Sequence, residues 1–216
     1  RHLRKRIEEL FNEVIERYPY IFEPNDRIRL DNRVLAYIVS ELRRYSLLQT
    51  ATDVKGEAYQ EIVRANLRGA RGEFFTPPNV CQMAVDAVFS TYPKNHWLSL
   101  KVLDPACGTG GFLRAVMNLW RRYIFEQEKH KWKLDHIALE KTAARLKEHC
   151  DRNLFGIDIN PDLVRAAQMN LVMNGDGSTN AFQANSLLPP GEWRDDVKAK
   201  IQLDTFVMAL ISPPPG

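Results

Sequence analysis

Residues 104–111 read Asp-Pro-Ala-Cys-Gly-Thr-Gly-Gly, so one carboxylate is followed closely by Gly108, Gly110 and Gly111. Glycines in that density let the backbone turn tightly and bring its N–H groups up to a ligand with no Cβ in the way. The pattern is not the Gly-x-Gly-x-x-Gly of dinucleotide sites, and no Gly-Lys-Ser/Thr follows to make a P-loop. The leading acid, Asp104, suits a ligand with a cationic or amine-bearing part rather than a polyphosphate. A second acid, Asp158, closes the next apolar run and is placed to accept hydrogen bonds from the two hydroxyls of a ribose. It lies much further along than the roughly 20 residues of a minimal unit, because a helical excursion intervenes. Two simpler readings stand beside these: a tight turn with no ligand, and Asp158 as an ordinary cap. Thr76-Pro77 reads as a helix start, with Thr76 as N-cap and Pro77 in the first turn. Its exposed N–H groups and the Thr76 hydroxyl suit a carboxylate, or serve only the cap.

These residues need a scaffold of alternating strands and helices. Val102-Leu103 reads as a strand, and Phe112, Leu113, Ala115, Val116 and Leu119 mark a helix reaching about Glu128. Residues 129–150 are charged and mostly helical. Leu154–Ile159 is the second strand, Asn160 caps the next helix, and Pro161 opens it. Strands follow at 181–184 and at about 205–211. The alternation predicts an α/β fold with a doubly wound parallel sheet. Ahead of it, apolar periodicity predicts helices over 3–18, from an Asp31 cap through Leu42, and over about 56–67. These form a helical domain, 1–70, before the sheet domain, 71–216.

The chain has 216 residues, 44% of them apolar, and a net charge of +3. Core-forming residues are plentiful, and so small a charge is weak evidence for a polyanionic partner. Arg1, Arg4, Lys5, Arg6, Arg43 and Arg44 read as solvated faces, with a DNA-facing role as the lesser reading. The three cysteines, Cys81, Cys107 and Cys150, fit neither a zinc site nor a disulfide framework, so a reducing cytoplasm is expected. Cys107 reads as a small residue packed under the glycine loop, because no His stands at a spacing that would activate it. No apolar run approaches the roughly 20 residues of a membrane helix. The chain starts with Arg1 and looks trimmed there.

Asp104–Phe112 resembles the S-adenosylmethionine loop of amino-group DNA methyltransferases, and Gly72-Glu-Phe-Phe-Thr-Pro-Pro78 resembles the motif that precedes their sheet. The order of motifs is that of the adenine-N6 enzymes. The lead-in around Asp53–Glu61 is similar to the modification subunit of type I restriction-modification systems. The resemblance implies a Rossmann-like fold with S-adenosylmethionine bound by Phe74, Thr76, Asp104, Ala106, Gly108, Gly110, Gly111, Asp158, Ile159 and Asn185. Ile159 lies against the adenine face. Asn185 stands where the family has Asp and accepts from the adenine amino group, or is a plain turn residue. Ser212-Pro213-Pro214-Pro215 stands where the family has Asn/Asp/Ser-Pro-Pro-Tyr/Phe, which holds the amino group of a flipped base. The implied partners are double-stranded DNA, a specificity subunit and a nuclease subunit. Two departures open alternatives. Ser212 in place of Asn occurs in cytosine-N4 enzymes. Pro215 removes the stacking ring, as in a catalytically weak, cofactor-binding assembly subunit. The family's sheet continues beyond the fourth strand, so the sheet here is expected to be incomplete.

Overall fold

The computed structural model describes residues 2–45, 76–175 and 180–212. The chain divides into two compact units, Arg1–Lys55 and Gly56–Gly216. The expected division at 70/71 and the expected helix over 56–67 lie outside the described residues.

In the first unit, α1 (His2–Arg17) and α2 (Asn32–Leu42) pair through a few side chains. Asp31 caps α2 as expected, accepting from the N–H groups of Arg33 and Val34. Ile21 and Leu35 are buried, and Phe11 meets Phe22 edge-on at 5.4 Å. Arg4 is not a solvated charge. It donates to Asn32 Oδ1 at 2.6 Å, to Glu8 and to the carbonyl of Leu30, which ties α1 to the entry of α2.

The second unit is built on a four-stranded parallel sheet, β1 (Val102–Asp104), β2 (Leu154–Asp158), β3 (Ala181–Gln183) and β4 (Met208–Ala209), in the order β3-β2-β1-β4. Val102 pairs with Leu154 and Met208, and Gly156 pairs with Ala181. β1 and β2 are buried throughout, as strands covered on both faces must be. Side chains alternate between two cores. Val102 and Leu154 join α3 (Pro78–Ser90), α4 (Gly111–Trp132), α5 (Asp135–Asn153) and α6 (Pro161–Met173) on one face. Leu103, Phe155 and Ile157 point to the other, where Trp193, Ile201 and Val197 of α7 (Asp195–Lys200) cover them. The topology explains this division. Right-handed crossovers from β1 to β2 to β3 place their helices on one face, and the return to β4 places its connection on the other.

The helix after the glycine loop runs to Trp132, a turn past Glu128, and ends in a left-handed Lys133. The 129–150 excursion is the end of α4 plus α5, joined by an ion pair from Arg145 to Glu128. β4 is shorter than expected, because a 3-10 turn occupies Leu203–Thr205. Among the described residues no helix is long and apolar enough to cross a membrane.

Candidate functional site

The strand order reverses between β1 and β4, and in open α/β sheets ligands bind in the crevice outside the carboxyl ends of the strands at such a point. Asp104 ends β1, Asp158 ends β2, Asn185 follows β3 and Ser212 follows β4. The sheet therefore brings four separated sequence candidates to one edge.

The loop between β1 and α4 folds back over β2. Asp104 Oδ1 accepts from the Ala106 N–H at 3.2 Å. Cys107 N–H donates to the Ile157 carbonyl at 2.8 Å, and Gly108 N–H donates to Asp158 Oδ2 at 2.9 Å. Gly110 N–H closes a turn on the Cys107 carbonyl at 2.7 Å, and the Asn170 side-chain amide donates to the Thr109 carbonyl at 3.0 Å. Gly108 has φ +53° and Gly110 φ +82°, a region that side chains with a Cβ rarely enter. A Cβ at Gly108 would meet nothing within 4 Å, so the loop presents bare backbone to open space there. A Cβ at Gly110 would lie in ordinary contact with Ala167 of α6 at 3.5 Å, so the constraint there is the left-handed backbone. The start of α4 follows directly, with no side chain capping it and with the positive end of its dipole toward the loop.

Two further residues, Gly156 and Asn170, hold this loop without any motif in the sequence to mark them. Gly156 lies in the middle of β2, and a Cβ there would stand 2.8 Å from Leu113 Cδ1 and 3.1 Å from Cys107 Cβ. A glycine inside a buried strand signals such a close approach. Asn170 is fully buried on α6 with its amide on the loop. A polar residue in an otherwise apolar helical face was its only trace.

The electrostatics follow from burial. Asp104 is 1% exposed. Burial drives its pKa up to about 7, the Ala106 N–H opposes the rise, and the Asp158 charge adds to it. The Cys107 thiol is pushed well above its usual value by burial and by the same two carboxylates. It is thus a packed thiol, as expected. Asp158 also accepts from the Asn160 N–H at 2.8 Å. A carboxylate offers about four lone-pair positions, so two backbone donors leave capacity for two ribose hydroxyls. Asn160 caps α6 as expected, through Asp162 N–H. Ile159, beside Asp158, is 64% exposed and presents an apolar surface at the sheet edge. Asn185 is already engaged: its Oδ1 accepts from Leu187 N–H at 3.0 Å, and its carbonyl accepts from the Trp193 indole at 2.9 Å.

Thr76 is not the N-cap of α3. Pro77 occupies that position, with φ −56° and ψ 141°, and no side chain caps the helix. Pro78 follows, and a residue before proline is driven out of the α region, so the helix begins one position later than expected. The Thr76 hydroxyl instead donates to Ser212 Oγ at 2.7 Å. That bond joins the residue ahead of α3 to the residue beyond β4. Phe74, Pro213, Pro214 and Pro215 lie outside the described residues.

A family model described as N-6 DNA Methylase matches residues 50–209. The type II restriction enzyme and methyltransferase RM.BcgI of Heyndrickxia coagulans is 29% identical over 140 residues, which is 64% of this chain and 18% of that protein. The type I restriction enzyme EcoEI methylase subunit of Escherichia coli is 37% identical over 78 residues, 35% of this chain and 15% of that protein. A crystal structure of a modification subunit of a putative type I restriction enzyme from Vibrio vulnificus aligns at 25% identity with a TM-score of 0.41, covering 78% of this chain and 28% of that one. The chain thus spans less than a fifth of the length of these two curated relatives. The family match takes in the glycine loop, both strand-end acids and Asn185, and on it the chain belongs to the N-6 DNA methylase family.

Proposed function

We propose that this chain is the S-adenosylmethionine-binding part of an adenine-N6 DNA methyltransferase, acting as the modification subunit of a type I restriction-modification system. The observation that supports it most directly is the bare-backbone loop at the switch point, flanked by Asp104 and Asp158, in a chain of this family. S-adenosylmethionine supplies a methyl group on a positively charged sulfur. The residues present fit such a guest. Asp158 has acceptor capacity for the ribose, and Ile159 offers an apolar surface for the adenine. The buried Asp104 carboxyl suits the guest's amine, since a cation close by favours the ionised form. The Thr76 hydroxyl suits its carboxylate. Asn185 contributes its remaining acceptor position to the adenine amino group.

At the other end of the edge, Ser212 Oγ is an acceptor for the amino group of a base drawn out of the duplex. An exocyclic amine conjugated with its ring is a poor nucleophile. Acceptors that hold its hydrogens favour a tetrahedral nitrogen with an available lone pair. The proposed substrate is double-stranded DNA, with a specificity subunit reading the site and a nuclease subunit completing the system. The presence of Ser212, which occurs in cytosine-N4 enzymes, supports transfer to cytosine as a second reading.

Calorimetry on the intact protein should show binding of S-adenosylhomocysteine, weakened by Asp158→Ala on the order of tenfold through lost hydrogen bonds. Methyl transfer to unmethylated plasmid DNA, with the product nucleosides resolved, then separates N6-methyladenine from N4-methylcytosine. Equal affinity for NAD would remove the cofactor assignment. Cofactor binding with no methylated nucleoside would leave only an assembly role.

A further inference from the structure

Thr76 and Ser212 are 136 positions apart in sequence and share a hydrogen bond of 2.7 Å at the edge where cofactor and base are proposed to meet. Each hydroxyl carries one proton and two lone pairs and rotates to suit its surroundings. The separation is the usual one for O–H···O in either direction. With Thr76 donating, one Ser212 lone pair is occupied and the Ser212 proton points elsewhere. That is a poor acceptor to offer an amino group, which needs lone pairs and is repelled by a facing proton.

A carboxylate reverses the preference. It is a stronger acceptor than a neutral hydroxyl, and hydrogen bonds to it are shorter and roughly twice as strong. If a carboxylate takes the Thr76 proton, Thr76 Oγ1 is left as an acceptor, and the bridge to Ser212 survives only with Ser212 as the donor. Both Ser212 lone pairs then face outward. The serine thereby gains the acceptor-only character that an Asn carbonyl has without help.

We propose that Thr76 is a positioning residue in a hydroxyl relay. The carboxylate of bound S-adenosylmethionine turns the Thr76–Ser212 bond around and presents Ser212 as a pure acceptor to the target amino group. This rests on the cofactor reading above and adds to it a coupling between the two halves of the site. No proton is exchanged between molecules, and no covalent bond changes. Two hydroxyl rotors move, and the cofactor end reports to the base end.

The sign of one affinity change tests it. In a chain of hydrogen bonds each donor strengthens the next. A Ser212 that donates to Thr76 therefore makes Thr76 a better donor to the carboxylate, although Ser212 itself does not touch it. In the intact protein, Ser212→Ala should weaken S-adenosylhomocysteine binding by a few-fold in calorimetry. The loss should vanish for 5′-methylthioadenosine, which has no carboxylate, and in a Thr76→Val background. Thr76→Ser, which keeps the hydroxyl, should retain it. Tighter binding by Ser212→Ala would mean that Ser212 only competes for the Thr76 proton, and the relay would be wrong. Unchanged binding would mean the two hydroxyls are not coupled, which also overturns it. If the unaltered protein binds no S-adenosylhomocysteine, the cofactor reading itself fails; if it binds and the sign is wrong, only the relay fails.

Discussion

The glycine loop and the Ser212 end of the sheet edge are parts of one proposed site, yet they are built in opposite ways. The loop is held by hydrogen bonds from its own backbone and from Asn170, rests on Gly156 and Ala167, and keeps Asp104 out of water. Ser212 is exposed, follows a two-residue strand, and is tied to the rest of the edge through the hydroxyl of Thr76. A half that receives a small cofactor gains from being formed in advance, because ordering a loop on binding costs free energy. A half that admits a base drawn out of DNA must stay open to solvent.

The contrast breaks most visibly with pH. Asp104 holds its proton far more tightly folded than unfolded, with a pKa of about 7 against 3.8. The folded state therefore binds more protons in this window, and stability falls as pH rises from about 4 to about 7. Asp104→Asn cannot ionise. Its stability relative to the unaltered protein should be near zero at pH 4 and grow to a gain of about 4 kcal/mol at pH 8, at about 1.4 kcal/mol per pKa unit. Denaturant unfolding at a series of pH values measures it, and parallel curves would mean Asp104 is not the buried acid described. The same variant should bind cofactor worse, which would place the stability cost in the service of binding.

Gly156→Ala attacks the loop from below. Its methyl would crowd Leu113 and Cys107, both buried, and overpacking of this kind costs about 1–3 kcal/mol. Unfolding and cofactor calorimetry should both register it. On the open side, Ser212→Asn with Pro215→Phe should raise methyl transfer. Stacking on an aromatic ring is worth about 1–3 kcal/mol per base, and Asn brings an acceptor of its own. Equal turnover before and after would mean the native turn needs no such help. The smallest effect is expected from Thr76→Val and Ser212→Ala on stability, within about 0.5 kcal/mol, as for positions outside the core. A loss near 1 kcal/mol for Thr76→Val would mean that its hydrogen bond to Ser212 contributes to stability.

What could be read in the sequence was local. Asp104 with its glycines, Asp158 with the Asn160-Pro161 start, and Asp31 ahead of α2 announce themselves within a few residues, and the structure forms each as expected. Thr76-Pro77 alone has the form of a cap, and the second proline, Pro78, shifts the helix start by one. Gly156, Asn170 and Trp193 carry their roles only through what folds against them, and no spacing rule points there. Between β3 and β4 the chain folds as two 3-10 turns and the six-residue α7, packed on the sheet by Trp193 and Val197, elements too short for an apolar period to announce.

The buried Cys107 has a chemical consequence in time. Thiol reagents attack the thiolate, and this thiol is covered and held protonated first by its burial and then by its acidic neighbours. Alkylation at Cys107 can therefore proceed only through moments when the loop lifts from β2. Its rate, followed by mass spectrometry beside that of Cys81 and Cys150, reports how often the loop opens locally rather than with the whole fold. A cofactor seated on the loop should slow Cys107 selectively, so the protein carries a reporter of its own occupancy that needs no label and no turnover.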